Sequence, residues 1–249
     1  MKINLRALFV LAVILACGAM LLDLAHNAPG PTAIRVMDYA KEKQIPYTSY
    51  PQSLIELLER NPATEEFVLN YPFREEKKVD IGEYDAKEGV PLFLQWDARW
   101  GYMTYGSDFV GVSGSGPMCL AMAGYYVSGG EKKFSPDRVV EFVLKNGYVT
   151  KGAGQGGNLI SKGGTALGLK IKELPQVERK VADYLKNGDP VIASMGPGSF
   201  DNYVVMTGYQ NGMVTINDPD SRENSEKQWV FEEISGQIRN LWVIQMGSE

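Results

Sequence analysis

Residues 111–122 read GVSGSGPMCLAM. A loop of small residues runs into Pro117, and an apolar stretch of helical character follows. A tight glycine turn at the positive end of a helix is a common way to present a nucleophile. The position so presented is Ser115, with Cys119 one helical turn further in. A serine hydroxyl attacks only when a neighbouring base takes its proton. The chain has a single histidine, His26, so residues 31–249 contain no imidazole. That removes Ser-His and Cys-His catalysis and histidine-ligated zinc. A base would have to be a carboxylate or a lysine such as Lys162. The bland reading is a serine in a helix-entry loop. Cys119, inside PMCLAMA, reads as a small buried hydrophobe.

The 249 residues are 44% hydrophobic and 22% charged, which suits one sizeable domain with appendages. Net charge is −5; the first thirty residues carry a net +1 through Lys2, Arg6 and Asp23, leaving −6. This acidic balance, without a basic stripe, argues against a nucleic-acid binder. Of two cysteines, Cys17 and Cys119, only the second lies beyond residue 30, so the domain holds no internal disulfide.

Lys2 and Arg6 precede ALFVLAVILACGAMLL (7–22), an apolar run closed by Asp23. Residues 1–30 therefore read as an export signal or an uncleaved membrane anchor. The run ILAC at Cys17 loosely resembles a lipoprotein box, although Leu15 is bulky for one. Each alternative places the domain outside the cytoplasm, on the membrane or secreted.

Residues 31–89 read as a helical lead-in and charged connector. PQSLIELLERNP puts Leu54, Leu57 and Leu58 on one helical face, and Asn61-Pro62 ends that helix before TEEFVLNY. REEKKVDIGEYDAKEG (74–89) reads as solvated. Residues 90–249 form a compact domain. VPLFLQWD (90–97) reads as a strand, Pro117 to Val127 as a buried helix, and 135–147, 158–170 and 177–188 as further helices. Strands follow at 190–195, 203–209, 213–218 and 241–246, with Asn211-Gly212 as a hairpin turn. Helices followed by an antiparallel sheet indicate α+β.

Two motifs have ordinary explanations. GAGQGG (152–157) contains GxGxxG, but no acidic residue is well placed for a dinucleotide ribose, and a glycine-rich surface loop is the default. NDPDSREN (217–224) lacks the spaced acidic loop of a calcium site and reads as a turn with solvated carboxylates. No metal or cofactor is expected.

Taken together, PLFLQWDARWGYMTYG, GVSGSGPMCLAM, YVVMTGYQNGMVTINDPDS and LWVIQM resemble the papain-like cysteine peptidases related to the bacteriocin-processing, double-glycine-leader enzymes, family 39 of that clan. The similarity is greatest to an exported single-domain branch in Gram-positive bacteria and spans about residues 46–245. It implies a papain-like α+β fold, a helical lobe facing an antiparallel sheet lobe. It also implies four site positions. Gln95, before Trp96-Asp97, stands at the oxyanion-hole position, and Ser115 stands where the family has its nucleophilic cysteine. Asn202 occupies the base position, after a loop (197–202) about three residues short. Asp218 keeps the orienting acid. Trp96, Gly154 and Phe200 would line the peptide cleft. With nucleophile and base both replaced, turnover should fall roughly a million-fold. The resemblance implies a non-catalytic module that binds a peptide or protein segment. An active Ser115-based peptidase and a purely structural scaffold docking through the aromatics of 96–105 stand as alternatives.

Overall fold

The computed structural model describes residues 29–75, 78–149, 158–196 and 203–247. The apolar N-terminal segment with Cys17 and His26, the GAGQGG loop with Gly154, and Phe200 and Asn202 lie outside them.

Three helices open the chain: α1 (Pro31–Glu42), α2 (Gln52–Arg60) and α3 (Glu65–Leu69). As expected, Leu54, Leu57 and Leu58 share a buried face. They join Val36, Ala40, Phe67 and Val68 in one cluster. The domain meets this cluster through Trp96, Tyr102, Phe109 and Val112. Two glycines make that junction possible. A Cβ on Gly111 would lie 2.6 Å from Phe67 Cζ, and one on Gly101 would lie 2.7 Å from Phe67 Cε2. The Phe67 ring slots between them and stacks on Tyr102, centroids 4.3 Å apart and planes 8° from parallel.

Two short strands, β1 (Thr104–Tyr105) and β2 (Asp108–Phe109), lead to α4 (Ser115–Val127). Every α4 residue from Ser115 to Tyr125 is buried. Alongside it lies α5 (Pro136–Lys145), and α6 (Glu178–Lys186) follows later. The remaining strands are β3 (Leu169–Leu174), β4 (Val191–Met195), β5 (Tyr203–Gln210), β6 (Met213–Asn217), β7 (Gln228–Val230) and β8 (Ile238–Met246). They form one sheet in the order β3-β8-β4-β5-β6-β7, with every neighbouring pair antiparallel.

The period-two rule explains how both faces are covered. Ile192, Tyr203, Val205, Trp242 and Ile244 point to the core around α4. Their alternates Val191, Ala193, Val204, Met206 and Val243 point to a second core closed by Val181 and Leu185 of α6 and by Phe231 and Ile234. Asn211-Gly212 makes the expected turn, with φ of 52° and 80°.

Three expectations are corrected. Residues 90–97 form no strand. Pro91 lacks an N–H for a ladder, and the Asn217 side-chain amide occupies the Val90 and Pro91 carbonyls at 2.9 and 3.0 Å. The helix expected over 158–170 ends early. A π-helical turn (Leu159–Gly163) and a short α turn precede Gly168, whose φ of +91° breaks the helix, and β3 begins at Leu169. The connector is not simply solvated: Ile81 and Ala86 are buried in the main core. Arg99 holds it there, donating to Glu83 and to the Asp80 carbonyl (2.8 Å) while gripping Asp97 through Nε (3.0 Å) and Nη2 (2.7 Å).

Because Phe67 fills the space a Cβ would need, Gly111→Ala should destabilise the fold by about 1–3 kcal/mol. In a Phe67→Leu background the same change should cost markedly less. Urea denaturation of the four chains measures both numbers, and equal costs in the two backgrounds would contradict this packing.

Candidate functional site

Ser115 is the first residue of α4, entered from a turn at Val110–Ser113 through Gly114. It is only 3% exposed. Cys119, one turn on, is wholly buried, and burial followed by the nearby charge of Asp218 pushes its thiol well above the usual range. A thiol so held stays protonated and inert. Lys162, the lysine considered as a base, is solvent-exposed on the π turn.

Gln95 is also 3% exposed. Its backbone N–H donates to the Pro219 carbonyl at 2.8 Å, tying residues 94–97 to the loop after β6. Its side-chain Nε2 donates to the Gly111 carbonyl at 3.2 Å and to Asp220 Oδ1 at 2.9 Å. A primary amide nitrogen has two hydrogens, so both are engaged. Both partners are pure acceptors, which fixes the amide orientation and leaves buried Oε1 without a partner among the described residues.

Asp218 is 2% exposed. Its Oδ1 accepts the Asp220 N–H at 2.9 Å, and its Oδ2 accepts Asn224 Nδ2 at 2.8 Å. Burial raises its pKa to about 6, partly offset by those two donors. Val205 lies opposite Asn217 in the β5–β6 pair, so the start of β5 and Asp218 share one end of the sheet. The NDPDSREN turn is therefore not solvated at its two aspartates. Only Glu223, which pairs with Lys227, is an exposed carboxylate of that kind. No group of residues suited to a metal ion occurs among the described residues.

Asp220 gathers the site. Beyond Gln95, its carboxylate lies 3.8 Å from Arg60 Nη2, which also donates to the Val112 carbonyl at 3.2 Å. Its own carbonyl accepts Asn61 Nδ2 at 2.6 Å and Trp96 Nε1 at 3.0 Å. Asn61, legible only as a helix stop, thus joins the lead-in to the sheet lobe. Trp96 packs on the lead-in side of the 94–97 segment, while Gln95 turns to the other.

A scan against protein families matches residues 88–247 to the Peptidase_C39 like family. The chain belongs to this peptidase C39-like family. Among solved structures, the peptidase domain of Streptococcus ComA, a bi-functional ABC transporter involved in quorum sensing, is 20% identical. The match covers 64% of this chain and 99% of that one, with a TM-score of 0.44. No curated protein matches. In this member of the C39-like family, helix and antiparallel sheet are arranged as the resemblance implied. Gln95, Ser115 and Asp218 are each buried, and Gln95 bonds both the loop after β6 and the Gly111 carbonyl ahead of α4. Gly154, Phe200 and Asn202 lie outside the described residues.

Asp218 makes a pH prediction whose sign is unusual for a carboxylate. Its folded pKa of about 6 exceeds the ordinary 3.8. The folded chain therefore holds the proton more tightly than the unfolded chain. Its contribution is fully present below about pH 4 and is lost as pH rises to about 6. Asp218→Asn should thus gain stability relative to the parent across that window, by up to about 3 kcal/mol. Denaturation midpoints at pH 4, 5, 6 and 7 test this, and parallel pH curves would contradict it.

Proposed function

We propose that this chain is an exported, non-catalytic member of the peptidase C39-like family that holds a peptide or unstructured protein segment without cutting it. In this reading residues 1–30 act as signal or anchor, 31–89 as lead-in and 90–249 as the peptidase-family domain. The partners are a polypeptide segment and, through the N-terminal segment, the membrane. Nucleic acid is not among them.

The observation that carries the proposal is the state of Gln95. An oxyanion hole works by aiming free N–H donors at a developing charge. Here both donors of the matching amide are spent on Gly111 and Asp220. The other supports are chemical. Ser115 replaces a thiol with a much weaker nucleophile, and Asn202 takes no proton at neutral pH. Both oxygens of Asp218 are occupied by its own loop. Lys162, the lysine considered as a base, is solvent-exposed whereas Ser115 is buried. Basic Lys2 and Arg6 before the apolar run support export. The alternative of a Ser115-based peptidase lacks a base. The scaffold alternative shares the support from Gln95, because an engaged glutamine serves packing as well as it serves binding.

Incubation of the full-length chain with a pool of unstructured peptides, followed by mass spectrometry, separates these readings. Retention without cleavage is expected, unchanged in Ser115→Ala. Cleavage that disappears in Ser115→Ala would establish the peptidase, and neither retention nor cleavage would leave the scaffold.

A further inference from the structure

Three adjoining clefts of about 300, 410 and 900 Å³ run along the seam between the lead-in and residues 94–104, and all three include Ala98 and Tyr102. We propose that this trough docks an extended polypeptide segment carrying an apolar residue followed by basic ones. The proposal rests on the peptide-binding reading above and relocates the binding away from the Ser115 region.

The floor is rigid. Tyr102 lies flat on Phe67 and donates its hydroxyl to the Phe67 carbonyl at 2.6 Å. Tyr71 forms a wall, edge-on to Tyr102 at 5.9 Å and to Phe109 at 5.3 Å. Phe73, beside them, is 48% exposed, a large apolar side chain left uncovered at the rim. Aromatic floors of this kind accept extended segments, which need little further ordering.

The charges on the two sides of the largest cleft differ, and they choose the occupant. On the lead-in side stand Arg74 and Lys78, with Glu75, Glu76 and Lys77 between them in sequence. The Arg74 guanidinium is stacked 4.0 Å over Tyr71 and donates to the Tyr71 carbonyl, leaving it oriented towards backbone oxygens. On the opposite side, α5 presents Asp137 and Glu141 one turn apart. Asp137 accepts Ser135 Oγ, and Glu141 pairs with exposed Arg138 at 3.3 Å. Arg99, the remaining cation of the cleft, is committed to Asp97 and Glu83. Among the described residues of the cleft, the α5 side therefore has no strong counter-charge. A segment whose carbonyls meet Arg74 and Lys78 and whose Lys or Arg meets Asp137 and Glu141 complements both sides, as does the chain's net charge of −5. The lead-in wall precedes the family-matched residues 88–247, while the opposite wall lies within them.

The test uses the full-length chain and short synthetic peptides with one apolar core followed by Lys-Arg, Gln-Gln or Glu-Glu. The Lys-Arg series should bind tightest. Asp137→Asn with Glu141→Lys should weaken it about tenfold or more and favour the Glu-Glu series. A charge-matched control, Glu232→Gln with Glu233→Lys on the turn that closes the second core, should leave the ranking intact. Thermal melts establish that each variant is folded. Peptide retention that ignores the α5 variant would overturn the trough while leaving the peptide-binding reading standing. Retention that falls equally in the control would reduce the effect to net charge and overturn it too. No retention of any series would remove the peptide-binding reading itself, and the trough with it.

Discussion

Asp220 accepts hydrogen bonds from two segments that the chain otherwise keeps apart. Its carboxylate takes the Gln95 amide and faces Arg60, and its carbonyl takes Asn61 and Trp96. The end of α2, the irregular 94–97 segment and the loop after β6 are thereby joined at one point. The side chain is only 14% exposed, so each bond is worth more than a surface contact. Removing one partner of a buried charged group leaves the others unsatisfied, at a cost of about 1.5–3 kcal/mol each. The glutamine then passes the constraint on to the Gly111 carbonyl, just before α4. The entry to the buried helix, the seam with the lead-in and the end of β6 thus meet at the same residue, the first through its carboxylate and the second chiefly through its carbonyl.

This arrangement and catalysis are incompatible uses of one side chain. A glutamine that serves an oxyanion must keep a hydrogen unpaired until charge develops. A glutamine that braces two lobes must keep none. Gln95 is in the second condition, and Asp218 is similar, with its two oxygens given to Asp220 and Asn224. In the proposed non-catalytic reading, with Ser115 and Asn202 in place of nucleophile and base, nothing selects for free donors. The two surviving positions then serve the packing between the lobes. In the non-catalytic reading the fold can outlive the chemistry, because its apolar cores, around α4 and beneath α6, include neither Gln95, Ser115 nor Asp218.

Much of this was legible in the sequence where one local signal sufficed. The apolar run after Pro117, the Leu54–Leu58 face and the Asn211-Gly212 turn each carried their own periodicity or backbone requirement. Strand β3 was also legible as LKIKEL, which alternates, but the glycines of GGTALG carried a helical reading past Gly168. The 90–97 segment has a strand-like composition and lost its ladder to a side chain, Asn217, more than a hundred residues away. Arg99 likewise drew the charged connector onto the core by a pairing no spacing announces. The four family positions could be proposed by motif resemblance alone. Their partners could not, because Gln95 and Asp220 are separated by 125 residues and Asp220 sits in a turn that looks solvated.

The account stands most directly on the bond between Gln95 and Asp220. A double-mutant cycle of Gln95→Met and Asp220→Ala, followed by urea denaturation, measures it. A coupling of about 1.5–3 kcal/mol is predicted, since the pair is buried and one partner is charged. Additivity within about 0.5 kcal/mol would mean that the glutamine is not held by the loop after β6. Its amide would then be free, and the case for a non-catalytic site would lose its main support.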